Sequence, residues 1–175
     1  MELGPVDRIT ADAVGEPGER IFYIQARAGQ ELVTVIVEKQ QVQLLAASVL
    51  ELMEDAPATE PVPEPAMALE EPLDPRWRAG RLSIGFDQDR DLFLLEVEEF
   101  QPELEDLDVD DPGSISPEIE PESIRIWASP AQMLALSRHG AAVAARGRPT
   151  CQFCGNPIDA EGHACPAMNG HSKRA

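Results

Sequence analysis

The sequence predicts an α+β fold built from two halves, each of the order β-β-β-α. The two halves form an antiparallel sheet or a sandwich with two helices, and a small zinc knuckle follows at the C-terminal end. Runs rich in β-branched and aromatic residues, separated by glycine turns, predict the strands. Two stretches with an apolar period of three to four residues predict the helices. All three cysteines lie within residues 151–165, beside a histidine, which predicts the knuckle.

Length and charge limit the classes of function. The 175 residues suffice for one α+β domain, residues 1–147, with a knuckle-like tail of residues 148–175. A net charge of −18, from 32 acidic and 14 basic residues, repels phosphates, so it disfavours nucleic acid and anionic membranes as partners. No apolar run is long enough for a membrane span, and Met1–Arg8 does not resemble a signal peptide. Clustered cysteines in such a chain favour metal binding and a cytoplasmic location.

The first half begins with three predicted strands. Residues 3–14, 20–27 and 31–38 are rich in β-favouring residues, and short glycine-containing turns separate them. From Lys39 onward, apolar residues recur every three to four positions, which predicts an amphipathic helix that ends near Asp55.

Two acidic, proline-rich stretches interrupt the rest of the domain. Residues 56–75 and 101–121 are predicted to be exposed loops because their composition favours extended, solvated chain. Between and after them, residues 80–86, 91–98 and 122–127 predict three more strands.

The second helix has a clear start signal. Ser129 is a favoured N-cap, Pro130 fits the first helical position, and Gln132 completes a capping box. The helical pattern ends at Arg146 and Gly147.

The strand-to-helix joints of the two halves match at one constant separation of 91 residues. The hairpins match only in type, so the alternative is a chance agreement among apolar positions. The matching residues are Ile36, Gln41, Val42 and Leu45 in the first half and Trp127, Gln132, Met133 and Leu136 in the second.

The knuckle has the spacing C-x2-C-x8-H-x-C. Zinc takes four tetrahedral nitrogen or sulfur ligands, and cysteines three residues apart around a tight turn present two sulfurs to one ion. The predicted ligands of one structural zinc ion are Cys151, Cys154, His163 and Cys165. Such a set leaves no open position for water, which favours a structural over a catalytic ion. His171 is the alternative fourth ligand, because H-x-C is a tighter pairing than the usual C-x2-C.

Three other interpretations of the cysteines are weaker. Zinc deaminases carry H-x-E before their cysteine pair, and thioredoxin-like C-x-x-C pairs lie at a strand-to-helix junction; neither pattern is present. A nucleic-acid-binding knuckle would use the nearby basic residues Arg146, Arg148, Lys173 and Arg174, against the acidic charge of the whole chain.

Three polar groups outside the tail are candidate sites. The D-x-D-x-D run from Asp87 to Asp91 resembles the start of a calcium loop, but Leu92 replaces the glycine that such a loop needs; a solvated hairpin turn is the simpler interpretation. His139 is predicted to be a helical histidine without a functional role. Gln41, Arg81 and Asp87 are the candidate residues of a polar pocket, should the protein be a cryptic enzyme or a ligand-binding domain.

Several of these runs together resemble an uncharacterised actinobacterial protein family of about this length. The resemblance rests on residues 23–27, 38–42, 80–90 and the tail from Gly147 to His171. That family looks to be one of a trio of conserved actinobacterial proteins. Its two companions resemble a phosphomutase-like and a kinase-like protein. The resemblance therefore implies a shared pathway rather than a particular reaction. The resemblance leaves the function open. The closed metal site, the lack of a recognisable catalytic motif and the acidic, loop-rich surface favour a non-enzymatic cytosolic adaptor with an unidentified protein partner.

Overall fold

The computed structural model describes residues 1–53, 67–102, 121–147, 150–156, 158 and 165. The elements in chain order are β1 (Glu2–Leu3), β2 (Arg8–Val14), β3 (Ile21–Ala28), β4 (Glu31–Val37), α1 (Lys39–Leu52), β5 (Ala79–Asp87), β6 (Leu92–Glu99), β7 (Ser123–Ala128) and α2 (Pro130–Ala145). The α+β class is confirmed, and so is the β-β-β-α order of the halves. The strand predicted at 3–14 is divided in two, because Gly4 has a φ of 120° and redirects the chain.

The strands form two sheets, one from each half. The first has the order β2-β3-β4, and the second has the order β1-β7-β6-β5. Neighbouring strands are antiparallel except for β1 and β7, where Leu3 lies opposite Ile126 in a parallel pair. Because β1 comes from the start of the chain, it adds a short strand to the sheet of the second half.

In each half, the segment before the hairpin strands forms hydrogen bonds with the last strand of the other half. The Val6 N–H donates to the Trp127 carbonyl at 2.8 Å, beyond the β1–β7 pair. In the same way, the Ile36 N–H of β4 donates to the Trp77 carbonyl at 3.0 Å, and Ile36 forms a parallel bridge with Arg78. Hydrogen bonds therefore connect the two halves at two places, between β4 and the segment before β5, and between β7 and the segment before β2.

A glutamine in the first turn of each helix also connects the two halves. Gln41 and Gln132 accept hydrogen bonds from the backbone N–H of the N-cap residues Glu38 and Ser129, at 2.7 and 2.8 Å. Their side-chain amides then reach across to the other half. Gln132 donates to the Val6 carbonyl at 2.8 Å, and Gln41 donates to the carbonyls of Ala79 and Gly80 at 3.3 and 3.0 Å. Gln41 and Gln132 therefore form equivalent hydrogen bonds in the two halves.

A single core joins the sheets and the helices. The helix α1 packs on β5, α2 packs on β2, and the two helices pack on each other. Ser137 of α2 is fully buried, and its hydroxyl donates to the Ala46 carbonyl of α1 at 2.9 Å across a separation of 91 residues. Gly140 permits this close approach, since an added Cβ would lie 3.0 Å from a methyl group of Val42. Among the described residues, no helix is long and apolar enough to cross a membrane.

Candidate metal centre and other candidate sites

The tight turn that carries the first two cysteines is held by its own backbone. The Gly155 N–H donates to the Cys151 carbonyl, and the Cys151 N–H donates to the Asn156 carbonyl, both at 2.8 Å. Gly155 has a φ of 72°, a conformation that glycine adopts without steric cost. The turn therefore presents the side chains of Cys151 and Cys154 to the same side.

Cys165 completes a cluster of three sulfurs. The sulfurs of Cys151, Cys154 and Cys165 all lie within 4.8 Å of one another, and the Sγ atoms of Cys151 and Cys165 are 3.8 Å apart. Disulfide sulfurs are bonded at about 2.05 Å, and all three cysteines are free thiols. Two thiolates on one tetrahedral zinc ion, each at about 2.3 Å, lie about 3.8 Å apart. The spacing fits three ligands of one metal ion.

The surroundings of Cys151 favour its thiolate form. The Phe153 N–H donates to Cys151 Sγ at 3.4 Å. This hydrogen bond, with a second one from the Cys154 backbone, lowers the pKa of Cys151 below its ordinary value. For Cys154, the hydrogen bond from the Asn156 backbone lowers the pKa, but burial and the two neighbouring sulfurs outweigh it and leave that pKa raised. Since metals bind the thiolate, the backbone N–H groups around Cys151 favour its metal-binding form.

The fourth ligand lies outside the described residues. His163 and the alternative His171 both fall there, so the choice between them stays a prediction. Thiolate-rich tetrahedral sets are typical of zinc sites, and a histidine would complete such a set.

The three residues proposed to line a polar pocket do not come together. Arg81 lies near the start of β5 and Asp87 at its end, about 20 Å apart along an extended strand. The Asp87 carboxylate instead accepts hydrogen bonds from the N–H groups of Asp89 and Arg90, at 3.0 and 3.1 Å. Gln41 is engaged with the start of β5 and its own helix cap. The strand that the sequence predicts at residues 80–86 already places Arg81 and Asp87 at opposite ends.

The acidic run after β5 forms a hairpin turn between β5 and β6. Asp91 has a φ of 51°, which asparagine and aspartate tolerate better than most residues. The guanidinium of Arg90 lies over the ring of Trp127, 4.0 Å from its centroid, in a cation–π contact. These contacts match the simpler interpretation of the run as a surface turn.

His139 lies close to an acidic side chain that the sequence did not reveal, although its buried Nε2 makes no hydrogen bond to any described residue. Its Nε2 lies 3.4 Å from a carboxylate oxygen of Asp12, and the two side chains are 18% and 22% exposed. Asp12 is on β2 and His139 is on α2, so only the packing of α2 on β2 brings them together.

A buried polar cluster on β2–β4 was also missed. Part of the predicted exposed loop, residues 67–70, lies across this sheet, and Met67 is only 3% exposed. The side-chain amide of the fully buried Gln25 accepts from the Glu70 N–H at 2.7 Å and donates to the Glu70 carbonyl at 2.9 Å. The Glu70 carboxylate is held by Arg8 and Arg27. The basic character of β2 and β3 near Arg8 and Arg27, opposite an acidic loop, was the available signal.

This cluster predicts a pH dependence of folding stability. Hydrogen bonding and charge from Arg27 lower the pKa of Glu70 below its ordinary value of 4.5. The ionised form is therefore favoured in the folded protein, and the stabilisation is present above about pH 4.5 and is lost as the pH falls through the lowered value. Replacing Glu70 with glutamine is expected to reduce the free energy of unfolding by about 1 kcal/mol at pH 7, and this difference should shrink toward zero at about pH 3.

Urea unfolding of both proteins at several pH values would measure this difference. Glu16→Gln is the matched control, because Glu16 is an exposed turn residue with no described ion pair. A difference between wild type and Glu70→Gln that stays constant from pH 7 to pH 3 would contradict the assigned role.

Comparisons with known proteins gave one match. Neither the curated proteins nor the solved structures contain a match to this chain. One family model, described as a protein of unknown function, covers residues 1–165, which include the three cysteines. The chain therefore belongs to the family described as Protein of unknown function (DUF3090).

Proposed function

We propose that the protein is a non-enzymatic interaction protein of the cytosol whose tail carries a docking surface for a partner protein. In this proposal one structural zinc ion, bound by Cys151, Cys154, Cys165 and His163, orders that surface. The observation that carries the proposal is the close grouping of the three cysteine sulfurs. Three thiolates and one imidazole would fill a tetrahedral zinc ion, which leaves no position for a reacting water.

The docking residue proposed here is Phe153. It lies in the turn between Cys151 and Cys154, and 63% of its surface is exposed. Exposed aromatic side chains are frequent anchors of protein interfaces, because their burial releases a large apolar area. A metal-fixed turn that presents an aromatic ring supports a binding role.

The charge of the chain supports a basic protein as the partner. A net charge of −18 attracts basic surfaces and speeds their encounter, whereas it opposes binding to nucleic acid. Three cysteines that form no disulfide persist best in a reducing compartment, which supports the cytosol as the location.

Replacing Phe153 with serine is expected to lower partner recovery by about tenfold or more, because an interface anchor of this type contributes a large share of the binding energy. The measurement is quantitative mass spectrometry after crosslinking and affinity purification from the native host. Leu44→Ser is the matched control, since Leu44 is an exposed apolar residue of α1, 68% exposed, away from the cysteines.

The zinc content of both variants should equal that of the wild type. If Phe153→Ser and wild type recover the same proteins in the same amounts, the tail is not the docking element. Equal loss with Leu44→Ser would indicate non-specific apolar capture and would also contradict the proposal.

A further inference from the structure

A cleft lies where the two halves and the tail meet. Its volume is about 720 Å³, which is within the size range of small-molecule sites. It is bordered by the β2–β3 turn, the start of α1, the end of α2, and Thr150 at the beginning of the tail. Residues from distant parts of the sequence therefore build one concave surface.

The walls of the cleft are largely apolar. Phe22 and Val37 are buried at 7% and 3% exposure, while Ile21 remains 47% exposed. Ile36 and Ala144 complete this apolar surface. An exposed isoleucine on the wall of a cleft leaves apolar area that a ligand could cover.

Positive charge surrounds these walls. Arg20, Lys39 and Arg78 line the cleft, and among the described lining residues the acidic one is Glu38, which pairs with Arg78. Arg20 donates to the carbonyls of Val143 and Arg146 at the end of α2. Lys39 is exposed and forms no ion pair with any described residue. In a chain with 32 acidic and 14 basic residues, this local excess of cations is unusual.

Lys39 lies beside the N-cap of α1. It is the first residue of this helix, and the acidic N-cap Glu38 precedes it. The Glu38 carboxylate already occupies the helix end as part of a capping box and also pairs with Arg78. Lys39 therefore keeps a positive charge that no described acidic residue pairs with. An anion in the cleft would interact favourably with this ammonium group.

We propose that this cleft binds a small organic anion, one with an apolar body and a phosphate or carboxylate group. The apolar body lies against Ile21, Phe22 and Ile36. The anionic group lies toward Lys39, and toward Arg78, whose guanidinium also matches the geometry of either group.

Phenyl phosphate, which has an apolar ring and a phosphate group, is a suitable probe. Benzoate carries a carboxylate instead, inorganic phosphate lacks the ring, and benzyl alcohol lacks the anionic group. Titration of ¹⁵N-labelled, zinc-loaded protein should shift backbone amide signals of residues that line the cleft, with a dissociation constant of about 1 mM or tighter for phenyl phosphate. Lys39→Gln should weaken this binding about fivefold, since it removes one charged contact. The matched control is Arg81→Gln, an exposed cation on β5 outside the cleft, which should leave the binding unchanged.

The other probes separate the two parts of the proposal. Inorganic phosphate and benzyl alcohol should each bind several-fold more weakly than phenyl phosphate, because each lacks one of the two recognised groups. Whichever of phenyl phosphate and benzoate binds more tightly assigns the anion class. Absence of shifts at the cleft, equal binding by Lys39→Gln, or equal binding of benzyl alcohol would overturn the proposal. Phe153→Ser should not change these titrations, so the cleft is tested independently of partner docking.

Discussion

Replacing Cys151 with serine is expected to abolish stoichiometric zinc binding. Cys151 is buried, its sulfur lies 3.8 Å from that of Cys165, and its pKa is lowered mainly by the Phe153 N–H. A serine hydroxyl is a much poorer zinc ligand than a thiolate, so the predicted site would lose one of its three sulfurs. Structural zinc in small fingers contributes about 10–16 kcal/mol of apparent binding free energy. The loss should therefore be close to complete.

Elemental analysis of protein purified with zinc would measure the effect. The wild type should retain one zinc per chain after dialysis, and Cys151→Ser should retain none. Gln152→Ser is the matched control, since Gln152 is an exposed residue of the same turn. One retained zinc in Cys151→Ser would contradict the assignment of the cluster as the metal site.

The same measurement identifies the fourth ligand. His163→Ala should release the zinc, whereas His171→Ala should retain it. The opposite pattern would assign His171 instead. Neither variant should affect the thermal unfolding of the α+β domain, because its core is built from strands and helices outside the tail.

The cysteine cluster was predictable because its spacing is local. Cys151 and Cys154 belong to one turn, and Gly155 supplies the positive φ that the turn uses. Strand and helix positions were predictable for the same reason, because the strand and helix periods of apolar residues are properties of short segments. The capping box at Ser129 and Gln132 fixed the start of α2 to the residue.

The remaining features depend on contacts between distant segments. The two arginines and the acidic loop are visible in the sequence, but only the packing of residues 67–70 on the sheet shows that Arg8 and Arg27 hold the Glu70 carboxylate. Arg20 and Lys39 lie near each other because Phe22 is opposite Val37 in the β3–β4 hairpin, but Arg78 and the end of α2 join this cleft from distant parts of the chain. The matching glutamines suggested two related halves. They did not show that β1, from the start of the chain, pairs in parallel with β7 of the second half. Local periodicity carries no information on such pairings.

The hydrogen bonds and helix packing between the two halves predict that the domain unfolds as one unit. Leu45 on α1 and Leu136 on α2 are equivalent residues, and they are 4% and 0% exposed. Replacing either with alanine should lower the free energy of unfolding by about 2–5 kcal/mol, because each change removes buried apolar contacts and leaves a cavity. Leu44→Ala is the matched control, since Leu44 is 68% exposed and should change stability by less than about 0.5 kcal/mol.

Tryptophan fluorescence distinguishes cooperative from independent unfolding. Trp77 precedes β5 and Trp127 is in β7, so both tryptophans report on the second half, whereas Leu45 belongs to the first. Because α1 packs on β5 and on α2, and Gln41 bonds to the start of β5, a cavity at Leu45 should destabilise both halves equally. Urea unfolding of Leu45→Ala should therefore give the same lowered midpoint by fluorescence and by far-ultraviolet circular dichroism. A fluorescence midpoint that stays at the wild-type value would show that the two halves are separate folding units.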